Sequence, residues 1–330
     1  MIICVSANPA IDRRLRLKKI EVGAVNRAVS AESFAGGKAA HVAMAVQALG
    51  EEVVWVGFLG GATGDELARQ LEGLNIHVVA VRTRSHTRVN DEVIDENGNI
   101  TEILEPGGSV SADETDQLHD ACKTLMSEAV QDFVIVLSGS LPPNVPSGFY
   151  AQMVHLAREY GGSTILDTSG EALLAGIAAG PGLIKPNRHE AEKAAGFDIE
   201  DEVRATSAAD FFQKLGAKSV AISLGGDGVV WSANEVSLIA VPPKVEVVST
   251  VGCGDATVAG FAVAWLRNLS MDETLRLAAA CGAANCLAKL PGQLNVEDVK
   301  RLKPLVTVSS IRIDAQSNMI ATNSEMSITN

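Results

Sequence analysis

Ser249-Thr250-Val251-Gly252-Cys253-Gly254-Asp255 runs straight into an apolar helical stretch, ATVAGFAVAWLRNL. Two glycines let the backbone turn tightly and aim its N–H groups outward. The N-terminus of the helix adds partial positive charge at the same point. Such a cradle, with Gly252, Cys253 and Gly254 as its rim, suits the negative charge that spreads over a phosphoryl group in transit. Asp255 could take a proton from an attacking hydroxyl, a service typically worth about 10²–10⁴ in rate. The same spacing also describes an aspartate capping a helix after a glycine turn.

Ala35-Gly36-Gly37-Lys38 is a second loop-to-helix junction. It fails the phosphate-loop pattern GxxxxGK[ST] twice, at Glu32 and at Ala39. Its glycines could instead admit a sugar close to the backbone, with Lys38 reaching an anionic substituent; a structural turn with a solvated lysine fits equally. Gly57 to Gly64 lacks the spacing of a dinucleotide fingerprint and reads as a turn. Lys185-Pro186-Asn187-Arg188-His189-Glu190 ends a strand and opens a helix. Asn187 and Glu190 share a face there and could hold hydrated Mg²⁺, which takes few protein ligands. They are also an ordinary capping pair. Asp12 follows the first strand, where ligands of open α/β sheets gather, and could accept hydrogen bonds from sugar hydroxyls or serve only its turn.

These residues need a scaffold, and the chain supplies an α/β pattern. Its 330 residues are 47% hydrophobic, enough for a sizeable core. The formal charge of -13 disfavours a nucleic-acid partner but not a phosphate held by local cations and backbone N–H groups. Cys4, Cys122, Cys253, Cys281 and Cys286 form no CxxC pair, so neither a disulfide framework nor a zinc site is indicated. No signal peptide and no bilayer-length apolar run is apparent, and a cytoplasmic address without membrane contact is expected. Strands are predicted at 1–6, 53–58, 133–138, 163–167, 183–185 and 219–224, with a hairpin at 228–239. Helices are predicted at 39–49, 64–71, 113–129, 147–160, 171–178, from 189, and at 207–215, 255–267 and 272–288. This alternation implies a mostly parallel sheet covered by helices on both faces. Residues 13–33 and 88–104 form a separate β-rich piece, with Asn97-Gly98 predicting a tight primed turn. Residues 314–330 are expected to be a disordered tail with no catalytic part.

Taken in this order, the motifs resemble the ribokinase-like carbohydrate kinases, the phosphofructokinase B family, over roughly residues 1–305. Asn8-Pro9-Ala10-Ile11-Asp12, Gly23-Ala24-Val25-Asn26-Arg27, Ser138-Gly139-Ser140-Leu141-Pro142-Pro143 and Ser223-Leu224-Gly225 look most like its sugar-phosphate branch. That branch contains 1-phosphofructokinase, tagatose-6-phosphate kinase and the minor 6-phosphofructokinase. The resemblance implies a three-layer α/β/α sandwich (1–12, 34–87 and 105–313) with a small β-sheet lid (13–33 and 88–104) that in many relatives also makes a homodimer contact. It implies ATP and Mg²⁺ as cofactors, with K⁺ a candidate third, and a ketohexose phosphate as acceptor, fructose 1-phosphate first. Fructose 6-phosphate, tagatose 6-phosphate, an unphosphorylated sugar or nucleoside, and a non-catalytic binding role are the alternatives.

By the same resemblance Asp255 is the base, and Gly252, Cys253 and Gly254 the anion hole. Asp12 binds sugar hydroxyls, Gly36 and Gly37 pack on the sugar, and Lys38, Arg88 and Ser138 hold its phosphate. Lys185, Asn187, Ser223, Gly225 and Gly228 line the ATP site with Asn285 near the adenine, and Glu190 orients Mg²⁺ through water. Two residues depart from the pattern. His41 stands where the family usually has Asn, and could hydrogen-bond a sugar hydroxyl. Cys253 replaces the usual Ala, and its place at a helix N-terminus predicts an acidic, modifiable thiol.

Overall fold

The computed structural model describes residues 1–129 and 132–311. The predicted tail at 314–330 lies outside the described residues. The chain opens with β1 (Ile2–Ser6), β2 (Ala10–Arg16) and β3 (Ser30–Gly36), then α1 (Lys38–Ala48), β4 (Val53–Leu59), α2 (Gly61–Gly73) and β5 (His77–Arg82). A hairpin follows, β6 (Arg88–Ile94) and β7 (Ile100–Leu104), and then α3 (Ala112–Ser127), β8 (Val134–Ser138), α4 (Phe149–Glu159) and β9 (Ser163–Asp167). Next come α5 (Gly170–Ala178), β10 (Leu183–Ile184), α6 (Arg188–Ala195), α7 (Glu202–Lys214) and β11 (Ser219–Ser223). The remaining elements are β12 (Val229–Ala233), β13 (Val236–Val241), α8 (Cys253–Leu266), α9 (Met271–Leu287), α10 (Val296–Leu302) and β14 (Thr307–Ser310).

Among the described residues, ten strands form one sheet in the order β14-β13-β12-β11-β10-β9-β8-β1-β4-β5. It is parallel from β11 to β5 and antiparallel only where β12, β13 and β14 extend it. Continuous apolar runs such as β1 (IICVS) and β4 (VVWVGFL) are buried along their whole length, as a sheet covered on both faces requires. Alternate residues feed two cores. Ile2 and Cys4 join α1, α8 and α9 on one face. Ile3 and Val5 join α3, α4 and α7 on the other.

The other four strands form a separate small sheet, β3-β2-β6-β7, in which β2 pairs parallel with β6. Its outer strand β7 is exposed throughout. Among the described residues no helix is long and apolar enough to cross a membrane.

Several predicted boundaries move. α2 starts at Gly61, so the 57–64 glycines are the end of β4 and the first turn of a helix rather than one turn. α7 starts at Glu202 because Asp201 caps it, accepting from the Arg204 N–H. The hairpin turn is not primed, since of Asn97 and Gly98 only Gly98 has a positive φ. Residues 95–99 instead form a longer loop, where the Asp95 carboxylate accepts from the N–H groups of Asn97 and Asn99. β5, β14 and α10 had no prediction; both strands lie at the sheet edges, and β14 lacks an apolar run whereas β5 carries a short one, Val78-Val79-Ala80-Val81.

Candidate active site

Ligands of parallel sheets bind beyond the carboxyl ends of the strands. There Ser6 ends β1, Ser138 ends β8, Asp167 ends β9, Lys185 follows β10 and Ser223 ends β11. All five border one cavity of about 1380 Å³, which the small sheet closes on its other side through Asp12, Arg88, Asn90 and Leu104.

Gly252 is the residue before α8, and its φ of 79° turns the chain into the helix. Among the described residues no side chain caps this helix, whose N-cap is Gly252, so Asp255 is not its capping residue. The Asp255 carboxylate is buried and points elsewhere: its Oδ2 lies 2.9 Å from His41 Nδ1. His41 is carried by α1, which packs on α8, and lies one turn after Lys38 on the same face. Its Nε2 sits 3.1 Å from Asp12 Oδ2, an ion-pair contact off the hydrogen-bond direction. Asp12 Oδ1 accepts from Asn90 Nδ2 at 3.0 Å. A continuous polar line therefore runs Asn90–Asp12–His41–Asp255. Burial opposes a charge on His41, but attraction to the close carboxylates of Asp12 and Asp255, with the hydrogen bond to Asp255, outweighs it and raises its pKa to about 10. The imidazole is thus a fixed cation between two carboxylates.

Asp167 was not singled out in the sequence. It is 1% exposed, and three predicted site residues converge on it. Lys38 Nζ lies 3.3 Å from its Oδ1, Lys185 Nζ lies 3.6 Å from the same oxygen, and Ser138 Oγ donates to Oδ2 at 3.4 Å. Burial alone would raise the Asp167 pKa, but the two lysines hold it below the usual carboxylate range. Lys38 is in turn raised: burial works against its charge, and Asp167, Asp255 and Glu190 outweigh that. The only earlier signal for Asp167 was a carboxylate at the end of a predicted strand. Lys185 also adjoins the cradle, for a Cβ placed on Gly254 would lie 3.3 Å from its Nζ.

The remaining predicted residues sort by position. Gly37, Arg88, Asn187, Glu190, Ser223, Gly225, Gly228, Cys253 and Gly254 border the cavity. Gly36 does not; it packs behind Asp12, where a Cβ would come 2.2 Å from Asp12 Cγ. Asn285 is buried outside the lining as well. Its Nδ2 donates to Val251 O, and its Oδ1 accepts from Gly292 N, so it braces the cradle loop. Gly282, Ala283 and Cys286 of α9 line the cavity beside it. The Arg88 guanidinium donates to the carbonyls of Glu105 and Asn8, while its Nε is buried without a partner. Burial lowers the Arg88 pKa.

Asn187 and Glu190 form a reciprocal capping box, each side chain accepting from the other's N–H at 2.9 Å. Among the described residues no cluster of three His, Cys, Asp or Glu could hold a metal directly. The acidic thiol expected at Cys253 is corrected: its close contact with Cys286, in which either sulfur could donate, and burial push its pKa up. Cys286 is the thiol whose pKa falls, lowered by the same contact with Cys253.

The pfkB family carbohydrate kinase model matches residues 2–297. Tagatose-6-phosphate kinase of Staphylococcus epidermidis is 32% identical over 302 residues, covering 90% of this chain and 96% of that one. The 1-phosphofructokinase of Vibrio cholerae is 30% identical over 311 residues, covering 94% and 97%. The structure of Escherichia coli phosphofructokinase-2 in complex with fructose-6-phosphate aligns with a TM-score of 0.83 at 30% identity, covering 92% of this chain and 98% of that one. With its large, mostly parallel sheet, its separate small sheet and the cavity between them, the chain belongs to the pfkB family of carbohydrate kinases.

Proposed function

We propose that the protein moves the γ-phosphoryl group of ATP onto a hydroxyl of a ketohexose phosphate, with fructose 1-phosphate the first choice. One observation carries this reading. A buried carboxylate, Asp255, lies beside a glycine-built helix N-terminus and is tied through His41 to a second carboxylate, Asp12, on the opposite wall of the cavity. Asp12 accepts from sugar hydroxyls and sets one of them against Asp255. Asp255 takes the hydroxyl proton as the oxygen attacks the γ-phosphorus, and the N–H groups of the cradle, with Lys185, face the charge on the transferring group.

The wall formed by Asn187, Ser223, Gly225 and Gly228 suits the nucleotide. Oxygen donors at Asn187 and Glu190 are already engaged by capping N–H groups, which fits Mg²⁺ held through water. When bound, Mg²⁺ would neutralise charge on the nucleotide phosphates. The exposed apolar side chains of Val22, Val25 and Val29, on the loop between β2 and β3, and of Ile103 on β7 support a homodimer through the small sheet and its loop.

A second acceptor class is favoured by one feature. Lys38 already pairs with Asp167, and Arg88 donates to two carbonyls, so both cations are in part engaged without a substrate phosphate. ADP release measured across fructose 1-phosphate, fructose 6-phosphate, tagatose 6-phosphate and the free sugars tests both. A phosphorylated ketohexose should give the highest kcat/KM. Preference for a free sugar would overturn the leading reading, and no turnover with any acceptor would overturn both.

A further inference from the structure

Helices α8 and α9 pack so closely that a Cβ on Gly260 would lie 2.5 Å from Ala278 Cα. This contact brings the start of α8 beside the end of α9. Cys253 and Cys286, 33 residues apart, meet there with their Sγ atoms 2.9 Å from each other. Both are partly exposed and both border the cavity. Cys4, Cys122 and Cys281 differ, being buried away from the cavity. The facing pair is held on several sides. Asn285 Nδ2 lies 3.4 Å from Cys253 Sγ, and the Cys286 carbonyl accepts from the N–H groups of Val248 and Ser249.

We propose that Cys253 and Cys286 are an oxidant-reactive dithiol whose disulfide reversibly disables the phosphoryl cradle. The inhibitory part rests on the proposed role of residues 252–254. The oxidant class is a peroxide. The Cys286 thiolate attacks one peroxide oxygen, the O–O bond breaks, and a sulfenic acid and one water form after protonation. Cys253 then gives up its S–H proton, and its sulfur attacks the sulfenyl sulfur. An S–S bond forms, and the leaving hydroxide departs as a second water with that proton. Two thiols and one peroxide give one disulfide and two waters, with two electrons passing from sulfur to oxygen. A small dithiol reverses the reaction by exchange.

A disulfide sets its sulfurs about 2.05 Å apart, so closure draws the Cys253 and Cys286 side chains together by roughly 0.9 Å. Cys253 supplies part of the cradle backbone. A displacement of that order at a reacting centre costs about 10²-fold in rate.

The test treats the full-length protein with hydrogen peroxide, then maps peptides by mass and assays kinase turnover in parallel. The expected result is a Cys253–Cys286 cross-linked peptide two hydrogens lighter than the thiol pair. Activity falls by about 100-fold and returns with dithiothreitol. Cys286→Ser and Cys286→Ala, each compared with its own untreated rate, should form no cross-link and lose far less activity. Absence of the cross-linked peptide in the wild type overturns the proposal whatever the activity does. Cross-linking with undiminished turnover overturns the inhibitory part. Should the untreated protein phosphorylate no sugar, the kinase reading fails separately, and the peptide map still decides whether the dithiol closes.

Discussion

Replacing His41 by asparagine removes one buried positive charge from between two carboxylates and leaves a polar side chain in its place. The imidazole is 4% exposed and reaches Asp255 at 2.9 Å and Asp12 at 3.1 Å. Burial opposes its charge, yet the two carboxylates lift its pKa from an ordinary 6.5 to about 10. A group that binds its proton more tightly when folded stabilises the fold while protonated. This contribution is fully present below pH 6.5, shrinks as pH rises, and is lost through pH 10. Each pKa unit is worth about 1.4 kcal/mol, so the ceiling is about 5 kcal/mol. Removing one partner of a buried ion pair costs about 3–5 kcal/mol, which falls in the same range. Urea unfolding of wild type and His41→Asn across this pH range reads the gap between them, and titrating groups remote from His41 cancel in the difference. We expect wild type to be more stable by about 3–5 kcal/mol near pH 6. The gap should close at up to about 1.4 kcal/mol per pH unit and be small near pH 10. A gap that stays constant over the range refutes the reasoning, as does an imidazole ring signal that titrates near its ordinary value.

Two further substitutions probe the same line of residues. Asp255→Ala should cut kcat by at least about 10²–10⁴ while ATP binding by calorimetry changes little, and turnover above a tenth of wild type removes Asp255 from its role. Gly36→Ala puts a methyl 2.2 Å from Asp12 Cγ, so Asp12 must turn away from His41 and Asn90. Losing hydrogen bonds to a charged group costs about 1.5–3 kcal/mol, so the sugar KM should rise by roughly ten- to a hundredfold, with the ATP KM little moved. An unchanged sugar KM would show that Asp12 does not hold the acceptor.

Much of the scaffold was legible because it is written in short-range patterns. The buried runs of β1, β4 and β8, the glycine turn before α8 and the Asn187–Glu190 cap can each be read within a few residues. Edge strand β14 escaped because a strand paired on one side and half exposed needs no continuous apolar run. The Asn97-Gly98 pair misled because the Asp95 carboxylate offered the loop N–H groups a better arrangement than a two-residue turn.

Candidate residues could be named one at a time, but their partners could not. Lys38 and Asp167 are 129 positions apart, and His41 and Asp255 are 214. Cys253 was visible as a thiol at a helix start, and only the packing of α8 on α9 gave it Cys286 and moved the acidity to the other sulfur. Chain-local chemistry determined which segments turn, extend or coil, since hydrophobic period and capping act over one or two turns. Strand order and helix packing decided which charges meet, because burial and Coulomb attraction depend on distances that only the folded chain sets.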